Sequence, residues 1–170
     1  DLFIKEKYSA AITEFEKALL ADKVAQTTKV NAAYYAAVAS AELQHKDAEL
    51  KLKSFIERYP AENKSQLAAW QLAKVYYRQK QWKRSVEWFE KSDVTQLTPD
   101  EITEYYFKSG YAFFMTGDLT RASKNFFEII NVDSKYNAAA NFYYAHIAYA
   151  NNNYETALKS FNKLSESEAF

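Results

Sequence analysis

Cysteine is absent from this 170-residue chain, and glycine and proline occur only twice each. Without cysteine the chain has no disulfides and no thiolate metal sites. With so few helix breakers, long helices are permitted almost throughout. Neither sign of charge is in excess: Lys plus Arg number 22, and Asp plus Glu also 22. A chain of zero net charge lacks the basic field of a general phosphate-backbone binder, so nucleic acid is not an expected partner. No apolar run approaches the roughly 20 residues needed to cross a bilayer as a helix. The first residues, Asp1–Lys7, are not the apolar core of a signal peptide. They read as the tail of an earlier helix (residues 1–5) running into a repeat, so the sequence is expected to be a segment of a longer protein.

What the chain does contain is a repeat. Ala11, Ala48, Ser85, Ala122 and Ala157 are spaced 37, 37, 37 and 35 residues apart. Four residues after each comes Phe15, Leu52, Phe89, Phe126 or Phe161, and three before each comes Tyr8, His45, Trp82, Leu119 or Tyr154. A fixed period of this size means stacked helix pairs sharing a core with their neighbours.

Helical periodicity places the elements. Ala69, Leu72, Ala73 and Tyr76 recur at i, i+3, i+4 and i+7, one face of a helix. The same frame gives Ala32, Tyr35, Ala36 and Ala39, then Tyr106, Ser109, Gly110 and Phe113, then Asn141, Tyr144, Ala145 and Ala148. Ala36, Ala73, Gly110 and Ala145 let two helix backbones approach, and the Phe or Leu of the second helix fills the space left over. Thr98-Pro99-Asp100-Glu101 reads as an N-cap, a proline at the first helical position and a capping-box glutamate. Gly117-Asp118 and Asn151–Asn153 break the last two pairs, and Pro60 ends a helix. Helices are expected over 9–21, 27–43, 46–58, 64–79, 82–92, 99–116, 119–131, 136–151 and 154–166, with no linker, so that 1–170 reads as one domain.

These residues resemble the tetratricopeptide repeat. Leu72-Ala73, Tyr76, Trp82, Ser85 and Phe89 follow its pattern, as do Tyr35-Ala36, Ala48, Leu52 and Pro60, and Tyr144-Ala145, Tyr154, Ala157 and Phe161. The period departs from the usual one of about 34, which predicts extended connections between pairs. The resemblance implies an all-α, right-handed α-solenoid of antiparallel helix pairs, about 4.5 repeats long. Ser54–Pro60 is similar to repeats of bacterial cell-envelope proteins, which implies a periplasmic or envelope location rather than a cytoplasmic one.

In such arrays the first helices line a concave face. A second stripe on them would then point into a groove: Trp70, Lys74, Tyr77 and Arg78; Phe107, Tyr111, Phe114 and Met115; Phe142, His146 and Tyr149. Aromatic, Met and Arg side chains are enriched where proteins bind one another. The expected function is therefore a scaffold that holds a protein or peptide partner on an aromatic groove. The alternative is a spacer or self-association module whose groove is filled internally. Trp88 stands at a position that is polar in the other repeats, and is expected to fold over the Ser92–Leu97 connection, the alternative being an outward contact on the convex side.

No catalytic constellation emerges, and no cofactor is expected. His146 has no second His or Cys nearby to share a metal ion. No glycine-rich phosphate loop, metalloprotease helix or serine elbow is present.

Overall fold

The structure, a computed structural model, describes residues 2–21 and 25–168, with side chains described for 7–21 and 25–165. Two compact units, Asp1–Asp93 and Val94–Phe170, divide the chain. The first holds α1 (Leu2–Leu20), α2 (Gln26–Glu42), α3 (Ala48–Arg58), α4 (Asn63–Arg78) and α5 (Trp82–Glu90). The second holds a 3-10 turn, Val94–Gln96, then α6 (Pro99–Met115), α7 (Leu119–Phe127), α8 (Asn137–Ala150) and α9 (Tyr154–Glu168). Among the described residues there is no strand. Within each unit, helices that follow one another in sequence pack together.

Two expected boundaries are corrected. The first helix is continuous from Leu2 rather than starting at residue 9, so residues 2–5 are not the end of a separate element, while Asp1 lies outside the described residues. Helix α7 stops at Phe127 and the chain continues as turns. There Asn137 and Asn141 donate side-chain N–H groups to the Ile130 carbonyl at 3.0 and 2.9 Å. They satisfy a backbone oxygen that a longer helix would have used internally.

The small-then-large pairs pack as their chemistry demands. Ala48, Ser85, Ala122 and Ala157 are all buried, and Leu52, Phe89 and Phe126 are 0% exposed. Serine takes the place of alanine at 85 because its hydroxyl donates to the Ala73 carbonyl at 3.0 Å. In the first unit Leu52 joins Tyr34, Phe55, Leu72 and Tyr76 in one apolar cluster. The Tyr76 hydroxyl donates to Glu49 at 2.7 Å, which keeps its polar end satisfied. Trp88 is half-buried against this cluster with Lys91 Nζ 4.2 Å from its ring centroid. Tyr35 corrects the expected buried stripe: it is 46% exposed, and Tyr34 takes the core position. Tyr35 instead stacks on Phe15 of α1, 5.8 Å away, with Lys64 Nζ over its ring.

The link inside each of four pairs is the same bend. Gln44, Lys80, Gly117 and Asn152 all have positive φ, at 57, 57, 84 and 61°. The following amides, of His45, Gln81, Asp118 and Asn153, donate to Ser40, Tyr76, Phe113 and Ala148, five residues back. The amides of the bend residues themselves donate three residues back, to Ala41, Tyr77, Phe114 and Tyr149. This is the Schellman arrangement, which satisfies the last carbonyls of a helix and reverses the chain. Connections between pairs, at 59–62, 91–98 and 128–136, vary in length and absorb the long period, as expected.

Gln44 and Lys80 carry a side chain through a conformation that costs an L-residue about 1–2 kcal/mol. Glycine there removes the strain, at an added unfolded-state entropy of about 0.4–1 kcal/mol. Gln44→Gly and Lys80→Gly are each expected to stabilise the protein by up to about 1 kcal/mol. Urea unfolding midpoints check this, and a lower midpoint for both would show the bends to be unstrained.

Candidate functional site

The expected groove residues fall into two groups. In the first unit they serve the fold. Trp70 is 1% exposed, with its ring 5.8 Å from Phe89 and Lys74 Nζ 5.0 Å from its centroid. Lys74 is itself buried and pairs with Glu42 at 3.3 Å. Arg78 is exposed, yet its Nη2 donates to the Ala41 carbonyl at 2.6 Å. A cation at the last turn of α2 is well placed against the helix dipole. Tyr77 is half-buried, edge-on to Trp82 at 5.4 Å. The expectation that Trp70 and Lys74 stand open as ligand contacts is therefore corrected. Their stripe faces neighbouring helices of the fold, and Lys74 and Arg78 tie α4 to the end of α2.

The second unit carries the aromatic face. Phe107 stacks on Tyr136 at 4.8 Å and on Tyr111 at 6.5 Å. Tyr111 stacks on Phe114 at 6.4 Å, and Phe114 meets His146 edge-on at 5.8 Å. His146 stacks on Phe142 at 6.5 Å, which in turn meets Phe161 at 6.4 Å. One chain of rings thus runs from the start of α8 along α6, back through α8 and on to the middle of α9. The residues at its near end are half-buried, while Met115, Phe142, His146 and Tyr149 are exposed. The structure brings seven of the expected residues, 107 through 149, into one unit: Phe107, Tyr111, Phe114, His146 and Phe142 form a connected run, Tyr149 meets Tyr154 at 5.5 Å, and Met115 stands at the end of α6.

Sequence reasoning missed Tyr143. It is the hub of this face, 5.2 Å from both Tyr111 and Phe114, 5.5 Å from Phe126 and 5.4 Å from Phe142. The repeat frame hid it, because the matching positions hold Gln71 and Lys108. The signal was present in Tyr34, the other aromatic in that frame, which is buried, while Tyr143 is half-buried.

Electrostatically the face is quiet. Burial, and then Tyr111 beside it, push the Tyr143 phenol above its ordinary pKa. Burial, and then Glu104, do the same for Tyr136. Both therefore stay neutral at physiological pH. No group of three or more His, Cys, Asp or Glu side chains that could hold a metal ion occurs among the described residues. No described helix is long and apolar enough to cross a membrane. The arrangement offers shape, aromatic surface and a few hydroxyl groups rather than reactive chemistry.

No protein-family model and no curated protein matches the chain. Solved structures do. MamA AMB-1 superposes with a TM-score of 0.73 at 20% identity, covering 96% of this chain and 84% of that one. MamA residues 41 to the end from Desulfovibrio magneticus RS-1 gives 0.63 at 17% identity, covering 98% and 96%. A Podosopora anserina protein, described as nearly identical TPR-like repeats of a kinesin light chain, gives 0.66 at 15% identity, covering 96% and 88%. With helices packed in consecutive pairs, the same bend inside four of them and these structures as neighbours, the chain has the tetratricopeptide-type fold, an all-α helical repeat.

Proposed function

We propose that this chain is a protein-interaction scaffold, and that the aromatic face of its second unit holds an extended peptide or a helix of a partner. The observation that carries the reading is the run of rings from Phe107 to Phe142, which reaches the surface at Phe142, 49% exposed, with Met115 and Tyr149 of the same two helices also exposed, at 44 and 61%. Apolar surface gathered in one patch marks interaction sites. Rings held by one another lose little conformational entropy when a partner lands on them, and Met adapts to its shape. The neutral phenols favour partners with apolar and aromatic side chains over strongly charged ones.

A random-peptide display screen against the folded chain tests the reading. The expected result is an enriched family of peptides rich in aromatic and aliphatic residues. Its binding should fall about tenfold or more in the Tyr111→Ala, Phe114→Ala double variant, with helicity retained. No enriched family, or one that binds the double variant equally well, would sink the proposal.

A further inference from the structure

We infer that a cavity between α6 and α7 is a socket for one tryptophan side chain of a protein partner. The cavity lies within the second unit, beside Val94, and measures about 330 Å³. It shares no lining residue with the run of rings from Phe107 to Phe142, so it is a second site and stands or falls apart from the first. Two half-buried phenols, Tyr105 and Tyr106, form the α6 wall, edge-on to each other with centroids 5.5 Å apart. Asn125, half-buried, forms the α7 wall, with the exposed Lys124 and Glu128 at the rim.

The preceding repeat shows what such a place can hold. One period of 37 residues earlier, Trp88 stands where Asn125 does, and Ala68 and Ala69 stand where Tyr105 and Tyr106 do. Trp88 is half-buried against the cluster that contains Ala68. There the second helix supplies the ring and the first supplies small residues beside it. In α6 and α7 the order is reversed, and the exchange does not close the space: the cavity remains between the phenols and the short asparagine. Its volume is at the low end of the range for ligand pockets, which suits one ring system rather than a larger molecule.

The polar groups around the two places fix the chemistry of the occupant. In the first unit Glu87 and Lys91 pair at 2.7 Å, and Lys91 Nζ lies 4.2 Å from the centroid of the Trp88 ring. Their counterparts are Lys124 and Glu128, the same two positions with the signs exchanged. Neither of these forms an ion pair among the described residues, so the Lys124 ammonium is free to lie over a ring in the cavity as Lys91 lies over Trp88. Asn125 Nδ2 donates to the Arg121 carbonyl at 3.0 Å, which leaves its Oδ1 as the acceptor that an indole N–H requires. Burial, and then the Glu128 carboxylate, push the Tyr106 phenol above its ordinary pKa, so that wall stays neutral at physiological pH. Arg121 is already engaged: its Nε donates to Asp118 at 2.6 Å and its guanidinium covers Phe113 at 4.3 Å. With Lys124 over the ring, no cation is left for the carboxylate of a free amino acid. The ligand is therefore a tryptophan within a partner chain.

The test titrates the whole nitrogen-15-labelled chain with N-acetyl-tryptophanamide and follows the backbone amides by NMR. Saturable shifts are expected at Tyr105, Tyr106, Lys124 and Asn125. The amide of N-acetyl-cyclohexylalanine, similar in bulk but without a π face or an N–H, should bind about fivefold or more weakly. Asn125→Trp, which places the preceding repeat's own ring on α7, should abolish the shifts. If that variant loses helicity, Lys124→Ala at its exposed position replaces it and should raise the dissociation constant about two- to fivefold. No saturation up to the solubility of the amide would overturn the inference, as would equal binding of the cyclohexyl analogue or binding indifferent to these substitutions. Shifts centred on Phe107–Phe142 instead, or tighter binding of free tryptophan than of its blocked amide, would overturn it too.

Discussion

Phe126→Ala is expected to cost about 3–5 kcal/mol of stability, the upper range for a single core truncation. The side chain is 0% exposed and is held between Phe107 and Tyr143. Gly110 lies directly beneath it: a methyl group there would sit 3.1 Å from Phe126 Cε1 and 3.2 Å from Asn125 Cβ. Removing the ring leaves a cavity whose walls belong to three helices, so collapse into it is limited. The same crowding makes Gly110→Ala unfavourable in the native protein, because the ring it would push against has nowhere to go. In the Phe126→Ala background the added methyl occupies vacated space, and alanine's better helix propensity is felt. A double-mutant cycle by urea denaturation should therefore show coupling of about 1 kcal/mol or more between the two sites. Additive losses would mean that helix α6 does not press on this ring.

Trp70→Ala is expected to cost a similar amount, about 3–5 kcal/mol. A tryptophan lining an open groove could be truncated with a change within about 0.5 kcal/mol. Trp70 is instead 1% exposed against Phe89, and its loss also strips the ring from under the Lys74 ammonium. That cation is buried beside Glu42 and is costly to leave without its surroundings. Chemical denaturation followed by circular dichroism reads the difference. Unaltered stability would return Trp70 to the surface role that its sequence position suggests.

The contrast between Trp70 and Phe142 shows where reading the sequence stops. The buried alternation of small and large residues was legible, because helix period and residue volume are both written in the chain. Ala69, Leu72, Ala73 and Tyr76 are all buried as their spacing requires. The capping box at Thr98 and Glu101 was legible for the same reason, since its bonds are local, and both are made. What a second stripe meets is not local. Trp70 and Phe142 occupy the same place in the repeat, yet one is enclosed and the other is 49% exposed. The difference comes from which helix packs next, and no spacing within a single repeat encodes that. Arg78 was equally opaque: its partner is a carbonyl 37 residues away. Lys80 and Gln44 escaped notice because neither is a residue that announces a left-handed bend. Their conformation is imposed by the packing of the two helices on either side.

That uniform bend sets a rule for how such a chain can change over evolutionary time. Each residue inserted at 80 or 117 would swing the following helix by about 100° about its own axis. Ser85 and Phe89, or Ala122 and Phe126, would then point into solvent. Identity at those corners is free to drift, as Gln, Lys, Gly and Asn already show, whereas residue number is locked. Length differences between descendants should therefore gather at 59–62, 91–98 and 128–136, making the hairpin the indivisible currency of gain and loss.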